Sequence, residues 1–289
     1  MQLAVNIIVL AAIYALLACG YVLIYRVSRV MNMAHGELSM LGAYLLFAAA
    51  TVFVHHPIAA LIIAILMSIA TGVLVYVVLM RRMTGEMVLA AILTTIALGI
   101  LLRGLVVLVW SASEQHPLQS LGFTNPSLAV FGGARISTCA ALIVLMTALV
   151  YGSLFAFLRF GRWGVRMRAA GQNPLLAAQR GINLHAIYAL AWSLSTLTGS
   201  IAGMLVALDS GLDQSMVVIG LKAFAVAIVG GLEHPVGILM ASLAFGVMEN
   251  LVGGSFGSST KEIFGFGLVI LVLFVRPTGL FGRTTLRRV

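Results

Sequence analysis

The chain alternates long apolar blocks with short polar gaps. Blocks near the roughly 20 residues a helix needs to cross the hydrocarbon core lie at 3–25, 58–80, 88–110, 138–158 and 184–208. A block at 30–54 is long enough too, but carries Asn32, His35 and Glu37 near its start. The segment 221–252 is broken by Gly230-Gly231-Leu232-Glu233-His234-Pro235 into a short piece and a longer one, and a last run at 262–276 is short for a full span. Read as a re-entrant hairpin, 221–252 leaves seven crossings; read as two short spans, it gives nine. The pattern predicts an all-α polytopic membrane protein of seven to nine spans with discontinuous or re-entrant helices. No break in composition divides it, so 1–289 is expected to form one transmembrane domain.

The one long polar interruption is Gly161 to Asn183, within a loop spanning 159–183. Arg159, Arg162, Arg166, Arg168 and Arg180 lie there with no acid to balance them. A short helix is punctuated inside it. Asn173 is a good N-cap, Pro174 suits the first helical position because its missing N–H would be unpaired there, and Gly181 suits a left-handed position just past the end. Barely two turns lie between. So short a helix does not hold itself together in water, which makes it a docking element braced by neighbours.

Composition agrees with the block pattern. Hydrophobic residues make up 62% of the 289 and charged ones 9%, with mean hydropathy +1.12, where soluble proteins carry about 25% charged residues. The net charge of +9 would suit a nucleic-acid binder, but its arginines cluster in short gaps between apolar runs, as topology signals do. With the N-terminus outside, the inner gaps hold Arg26, Arg29, Arg81, Arg82, the five of the central loop, Arg276, Arg283, Arg287 and Arg288, thirteen of seventeen basic residues. Arg135, Lys222 and Lys261 fall in outer gaps, and Arg103 inside a helix toward its outer end. The central loop and the C-terminus are thus expected inside. Cys19 and Cys139 each fall in an apolar run and read as packing residues, with no disulfide or metal framework. Met1-Gln2 lacks the basic start of a cleaved signal peptide.

Among polar residues in apolar blocks, Asn32, His35 and Glu37 lie within six positions. Polar groups in lipid are costly and usually face the bundle interior or a water-filled cavity, so the three either line a path or cap a broken helix. His35 and Glu37, two apart, point to different helix faces, which excludes a zinc-protease pair; no HExxH occurs. Thr94 and Thr95 are further pathway candidates, although hydroxyls also bond back to their own helices. The same holds for Ser193, Ser195, Thr196, Thr198 and Ser200. Gly199 to Gly203 is a GxxxG that favours close helix approach within the bundle or across a subunit interface. His55-His56-Pro57 reads as a solvated outer turn, Glu233-His234 as a turn that could touch a partner, and Glu249-Asn250 as lying at the outer interface. The loop from Ser111 to Ser137, with turn formers at His116-Pro117, Asn125-Pro126 and Gly132-Gly133, reads as an ordered outer cap.

Four stretches carry a resemblance: NMAHGELSMLGAYL at 32–45, RAAGQNPLLAAQRGIN at 168–183, GLKAFAVAIVGGLEHPVGILMASLAFGVMEN at 220–250 and RPTGLFG at 276–282. Together they resemble the permease subunits of branched-chain amino acid ABC importers, the shorter of the two permease types. The resemblance covers nearly the whole chain, with Met33 where the family commonly has Phe and Glu233-His234-Pro235 where a small-residue turn is commoner. It implies the ABC importer permease fold in a bacterial inner membrane. Its implied partners are a second permease subunit, two cytoplasmic ATPase subunits and a periplasmic solute-binding protein. On this reading the chain is no enzyme and holds no cofactor, ATP and Mg belonging to the ATPases; the sequence has no GxxxxGK[ST]. Residues Asn173 to Arg180 would form the coupling helix seated in an ATPase groove, with Arg168, Asn173, Pro174, Leu176, Gln179, Arg180 and Gly181 carrying the coupling. Related permeases move urea, amides or nucleosides, so the solute stays open. An ion-coupled secondary transporter would use Glu37 and Glu249 as relay points, and an intramembrane enzyme would need a nucleophile–base pair or metal cluster that the sequence does not show.

Overall fold

A computed structural model describes residues 1–129, 133–257, 260–276 and 279–282, with the side chain of Glu262 excepted. Of the expected features, Gly132, Pro277-Thr278 of the tail motif, and Arg283, Arg287 and Arg288 lie outside the described residues. The helices are α1 (Gln2–Ser28), α2 (His35–Val52), α3 (Pro57–Val75, continued by one π-helical turn, Tyr76–Met80), α4 (Val88–Trp110), α5 (Pro117–Ser120), α6 (Thr138–Phe160), α7 (Arg162–Gln172), α8 (Pro174–Gln179), α9 (Leu184–Ser210), α10 (Met216–Gly230), α11 (Pro235–Phe256) and α12 (Lys261–Val275). Six of them, α1, α3 with its extension, α4, α6, α9 and α11, are long and apolar enough to cross a membrane. The fold class is the all-α polytopic bundle expected.

Local chemistry sets the boundaries. Proline occupies the first turn of α3, α5, α8 and α11, where its missing N–H costs no hydrogen bond. The Ser137 hydroxyl accepts from the Ala140 N–H at 3.0 Å to start α6, and the Asn183 side-chain Oδ1 accepts from the Ala186 N–H at 3.1 Å to start α9. The broken segment resolves into two helices joined by a tight turn. Helix α11 alone has 22 residues, about 33 Å at 1.5 Å per residue, long enough to cross, while α10 has 15, about 22 Å. The break is where the sequence put it, at Gly231, whose φ of 90° suits only glycine.

Helices α1 and α9 form the centre. The polar residues of α9 turn inward: Ser193, Ser195, Thr196, Thr198 and Ser200 are all buried. Gly199 packs against the His35 ring and Gly203 against the Ser39 backbone of α2, so the GxxxG serves approach within the bundle. At the end that carries the N-terminus, Gln2 bonds the Arg135 carbonyl at 2.9 Å and Gln115 pairs with Leu212. The same loop holds a two-stranded hairpin, β1 (Ser127–Ala129) and β2 (Arg135–Ser137), which no alternation in the sequence announced. Asp209 ties it down, accepting from Ser137 at 2.7 Å and Asn125 at 3.3 Å.

At the opposite end Arg29 pairs with Glu233 of the α10–α11 turn, and the Tyr76 hydroxyl lies 2.8 Å from His185 Nδ1. Residues 279–282 close over the same turn: the Leu280 N–H donates to the Val229 carbonyl at 2.8 Å, and Phe281 lies against Gly237. Cys19 and Cys139 are free and buried, as packing residues should be.

Candidate functional site

Two sites emerge, one at mid-depth and one at the end opposite the N-terminus. The first begins where the chain leaves α1 at Arg29 and climbs back, non-helical, to Ala34 before α2 starts. Asn32 sets the start: its side-chain carbonyl accepts from the Ala34 N–H at 3.1 Å, while Thr95 of α4 accepts from the Met33 N–H at 3.1 Å. Both capping atoms are thus occupied by backbone. Asn32 Nδ2 is buried with no hydrogen-bond partner among the described residues. Thr94 stays apart, half-buried and bonded to its own helix at the Ala90 carbonyl, so it does not join the cluster it was expected in.

His35 and Glu37 diverge, as their spacing requires. The His35 ring is fully buried between α1 and α9, with Nε2 3.2 Å from the Leu17 carbonyl, Nδ1 3.4 Å from Ser195 Oγ, and the Tyr21 ring edge-on at 4.5 Å. Nothing leaves it open to a ligand. Glu37 turns the other way, toward α4. Its Oε1 accepts from Arg103 Nη2 at 2.7 Å and Nε at 3.0 Å. Gly99 lies beneath the carboxylate, where any Cβ would crowd it.

Arg103 is the residue that sequence reasoning missed in this role. It sits seven residues from the end of α4, about 10 Å inside it, yet its guanidinium turns back to Glu37 instead of out to the surface. Glu37 is buried and Arg103 half-exposed, 8% and 52% by side chain. Both line a cleft of about 280 Å³ with Tyr21, Met33, Gln214 and Phe224. A charge at this depth is tolerated beside a partner or a water-filled cavity, not against lipid tails.

A second pair was misplaced by the sequence. The sequence places Lys222 in an outer gap and Glu249 at the outer interface, but Glu249 is buried and Lys222 partly buried, with Lys222 Nζ 3.2 Å from Glu249 Oε1. The Tyr14 hydroxyl donates to the same oxygen at 2.9 Å. The signal was available: the apolar blocks hold Glu37 and Glu249 as well as Arg103 and Lys222, and intramembrane charges seek partners.

The other site is the polar loop. Its first half is a helix that punctuation alone did not reveal. Gly164, Met167, Ala170 and Gly171 form the buried face of α7, while Arg162 and Arg166 point to solvent. Gly171 packs on the Arg26 carbonyl of α1 so closely that a Cβ would overlap it. Arg168, expected beside the short helix, lines instead a cleft of about 260 Å³ with Arg26, Arg29, Gln172 and Glu233.

Helix α8 is built as its sequence reads. The Asn173 side chain accepts from the Leu176 N–H at 3.0 Å, Pro174 opens the helix, and Gly181 takes φ 77° while Ile182 N–H reaches back to the Ala177 carbonyl at 3.1 Å. Ala177 is buried beneath it. Leu175 and Leu176 are exposed, 71% and 51%, with Gln179 and Arg180 beside them. Among the described residues no group of acids, histidines and cysteines is arranged to hold a metal ion.

A family model described as branched-chain amino acid transport system / permease component matches residues 3–273. The chain belongs to this family. The permease is 30% identical to the high-affinity branched-chain amino acid transport system permease protein BraD of Pseudomonas aeruginosa, over all of this chain and 98% of that one. It is equally similar, 30%, to the LivH permease protein of the same kind of system in Escherichia coli K12, over all of this chain and 97% of LivH. A guanosine ABC transporter permease protein of Bacillus subtilis, NupQ, matches at 28% over 54% of this chain and 50% of its own. The permease is therefore a transport subunit, and its bundle is the ABC permease type of polytopic fold.

Proposed function

We propose that the permease imports a small zwitterionic solute, a branched-chain or other amino acid, by alternating access driven by ATPase subunits outside this chain. The observation that carries the reading is α8: a two-turn helix, capped at both ends, presenting Leu175, Leu176, Gln179 and Arg180 to solvent from the arginine-rich end of the bundle. A helix of that length gains by being gripped. Full-length similarity to amino acid permeases against half-length similarity to a guanosine permease favours amino acids as the cargo.

In this reading α8, with Asn173, Pro174, Gln179, Arg180 and Gly181, sits in a groove of one of two cytoplasmic ATPases, which bind ATP and Mg. Arg168 acts behind it, at the joint between α7 and α1. A second permease subunit completes the membrane unit, and a periplasmic binding protein delivers the solute. The solute path passes the α2 start, where Asn32 and Thr95 hold the backbone, His35 locks α2 to α1 and α9, and Glu37 faces the cleft; Thr94 lies beyond it. The whole chain acts as one membrane domain with no catalytic group or cofactor of its own. Its N-terminal end faces the periplasm, and its 159–183 loop and C-terminus face the cytoplasm.

The test is import of L-leucine into proteoliposomes holding the complete transporter. ATP inside the ATPase compartment and binding protein on the other side should give uptake, and a proton or sodium gradient without ATP should give none. Uptake driven by the gradient alone overturns the reading in favour of a secondary carrier. Orientation is tested separately by single cysteines at Ser113 and Gln172, both exposed, since the two native thiols are buried. Ser113→Cys should label from outside intact cells and Gln172→Cys only after lysis.

A further inference from the structure

The Glu37–Arg103 pair uses only part of its bonding capacity. Both arginine nitrogens converge on Oε1, and among the described residues Glu37 Oε2 and Arg103 Nη1 take no side-chain partner. The pair is neutral as a whole, sits in a cleft of about 280 Å³, and faces an apolar wall of Met33, Val217, Val218, Leu221 and Phe224. Gly36 of α2 lines the cleft and meets Gly220 of α10 backbone to backbone.

We propose that this pair is the specificity-determining contact for an α-amino acid with an apolar side chain, Glu37 taking the solute ammonium and Arg103 its carboxylate. The inference rests on the import function proposed above and names the residues that read the cargo. In an α-amino acid the two charges hang from one carbon, and an acid and a base side by side match them, as Glu37 and Arg103 stand at 2.7 Å. The solute opens one ion pair and forms two, with no net charge brought to mid-depth. A solute with an extra charge leaves that charge unpaired in a poorly solvated cleft, which is costly. Guanidinium suits the carboxylate end because its fork bonds both oxygens in one plane. Because the solute must displace an existing pair, binding is weak enough to release, as a pathway requires.

Single substitutions leave an unpaired charge and can fail through misfolding, so the decisive variant is the double Glu37→Gln/Arg103→Gln, which removes both charges and keeps an amide–amide hydrogen bond. In the complete transporter, it should co-purify with its partner subunits in wild-type yield while ATP-driven uptake of L-leucine falls at least tenfold. Arg103→Lys, which keeps the charge but not the fork, should retain more uptake than Arg103→Gln. Wild-type uptake by the double variant would show the pair to be a structural tie and overturn the proposal while leaving the import function standing. A wild-type transporter that imports no α-amino acid at all sinks both.

Discussion

The start of α2 and the α7–α8 loop both interrupt an apolar chain with polar residues, and the two are satisfied in opposite ways. At α8 every cap is local: Asn173 serves Leu176 three residues on, and Gly181 turns the chain at once. At α2 the partners come from far along the sequence: Thr95 for Met33, Arg103 for Glu37, and Leu17 and Ser195 for His35. Water accounts for the difference. A loop in water can leave side chains unpaired and needs only its backbone ends closed, whereas at membrane depth an unpaired polar group is costly and most find protein. The loop is therefore free to present its side chains outward, and the α2 start must spend its own on the bundle.

That contrast predicts a gradient of damage. The largest effect belongs to the Lys222–Glu249 pair: Lys222→Met leaves Glu249 buried without its cation and should cost roughly 3–5 kcal/mol. Thermal unfolding of the purified chain in detergent reads it, and adding Glu249→Gln should recover most of the loss. If Lys222→Met melts like the wild type, distant partners do not hold the interior in the way described. Next comes Gly171→Val, at the joint between loop and bundle, where a side chain overlaps the Arg26 carbonyl. It should cost about 1–3 kcal/mol of local docking, seen as faster proteolysis within 161–183 with the bundle's melting unmoved.

How much of this was legible follows the same line. The apolar blocks, the break at Gly231 and the whole of α8 were readable because their causes lie within a few residues of one another. Helix α7 was also readable, since small and apolar residues at 164, 167, 170 and 171 share a face with arginines opposite, although no cap or proline marks its start. The pairing of Glu37 with Arg103, 66 residues apart, has no local cause, and neither has that of Lys222 with Glu249. Charge balance among the blocks hints that pairs exist without saying which. The hairpin at Ser127–Ser137 has strands of three residues, too short to show an alternation.

Two smaller effects sharpen the comparison from the loop side. Gly181→Val meets open space but a left-handed backbone, so its cost is strain alone, about 1–2 kcal/mol. The fold should survive and binding-protein-stimulated ATP hydrolysis by the assembled transporter should be lost, because the helix is misaimed. Full stimulation would place the coupling elsewhere, with the Glu233-His234 turn the first alternative. Asn173→Ala removes one cap for about 1 kcal/mol and should raise amide exchange across 174–180 while lowering stimulation only partly. A drop in the melting temperature of the whole bundle with either variant would mean that the loop is not the independent module its local caps suggest.

The closure of residues 279–282 over the α10–α11 turn bears on how the molecule is made. Two further helices, α11 and α12, separate the turn from the segment that covers it. During synthesis the turn therefore emerges uncovered, with the Val229 carbonyl and the floor at Gly237 open, and stays so until both helices have been threaded into the bilayer. A chain stalled before α12 lacks both this cover and the packing of Val272 in the core. The cover is therefore a late addition to the fold among the described residues, and a chain truncated before α12 should be cut faster at 230–235 by added protease than the full one.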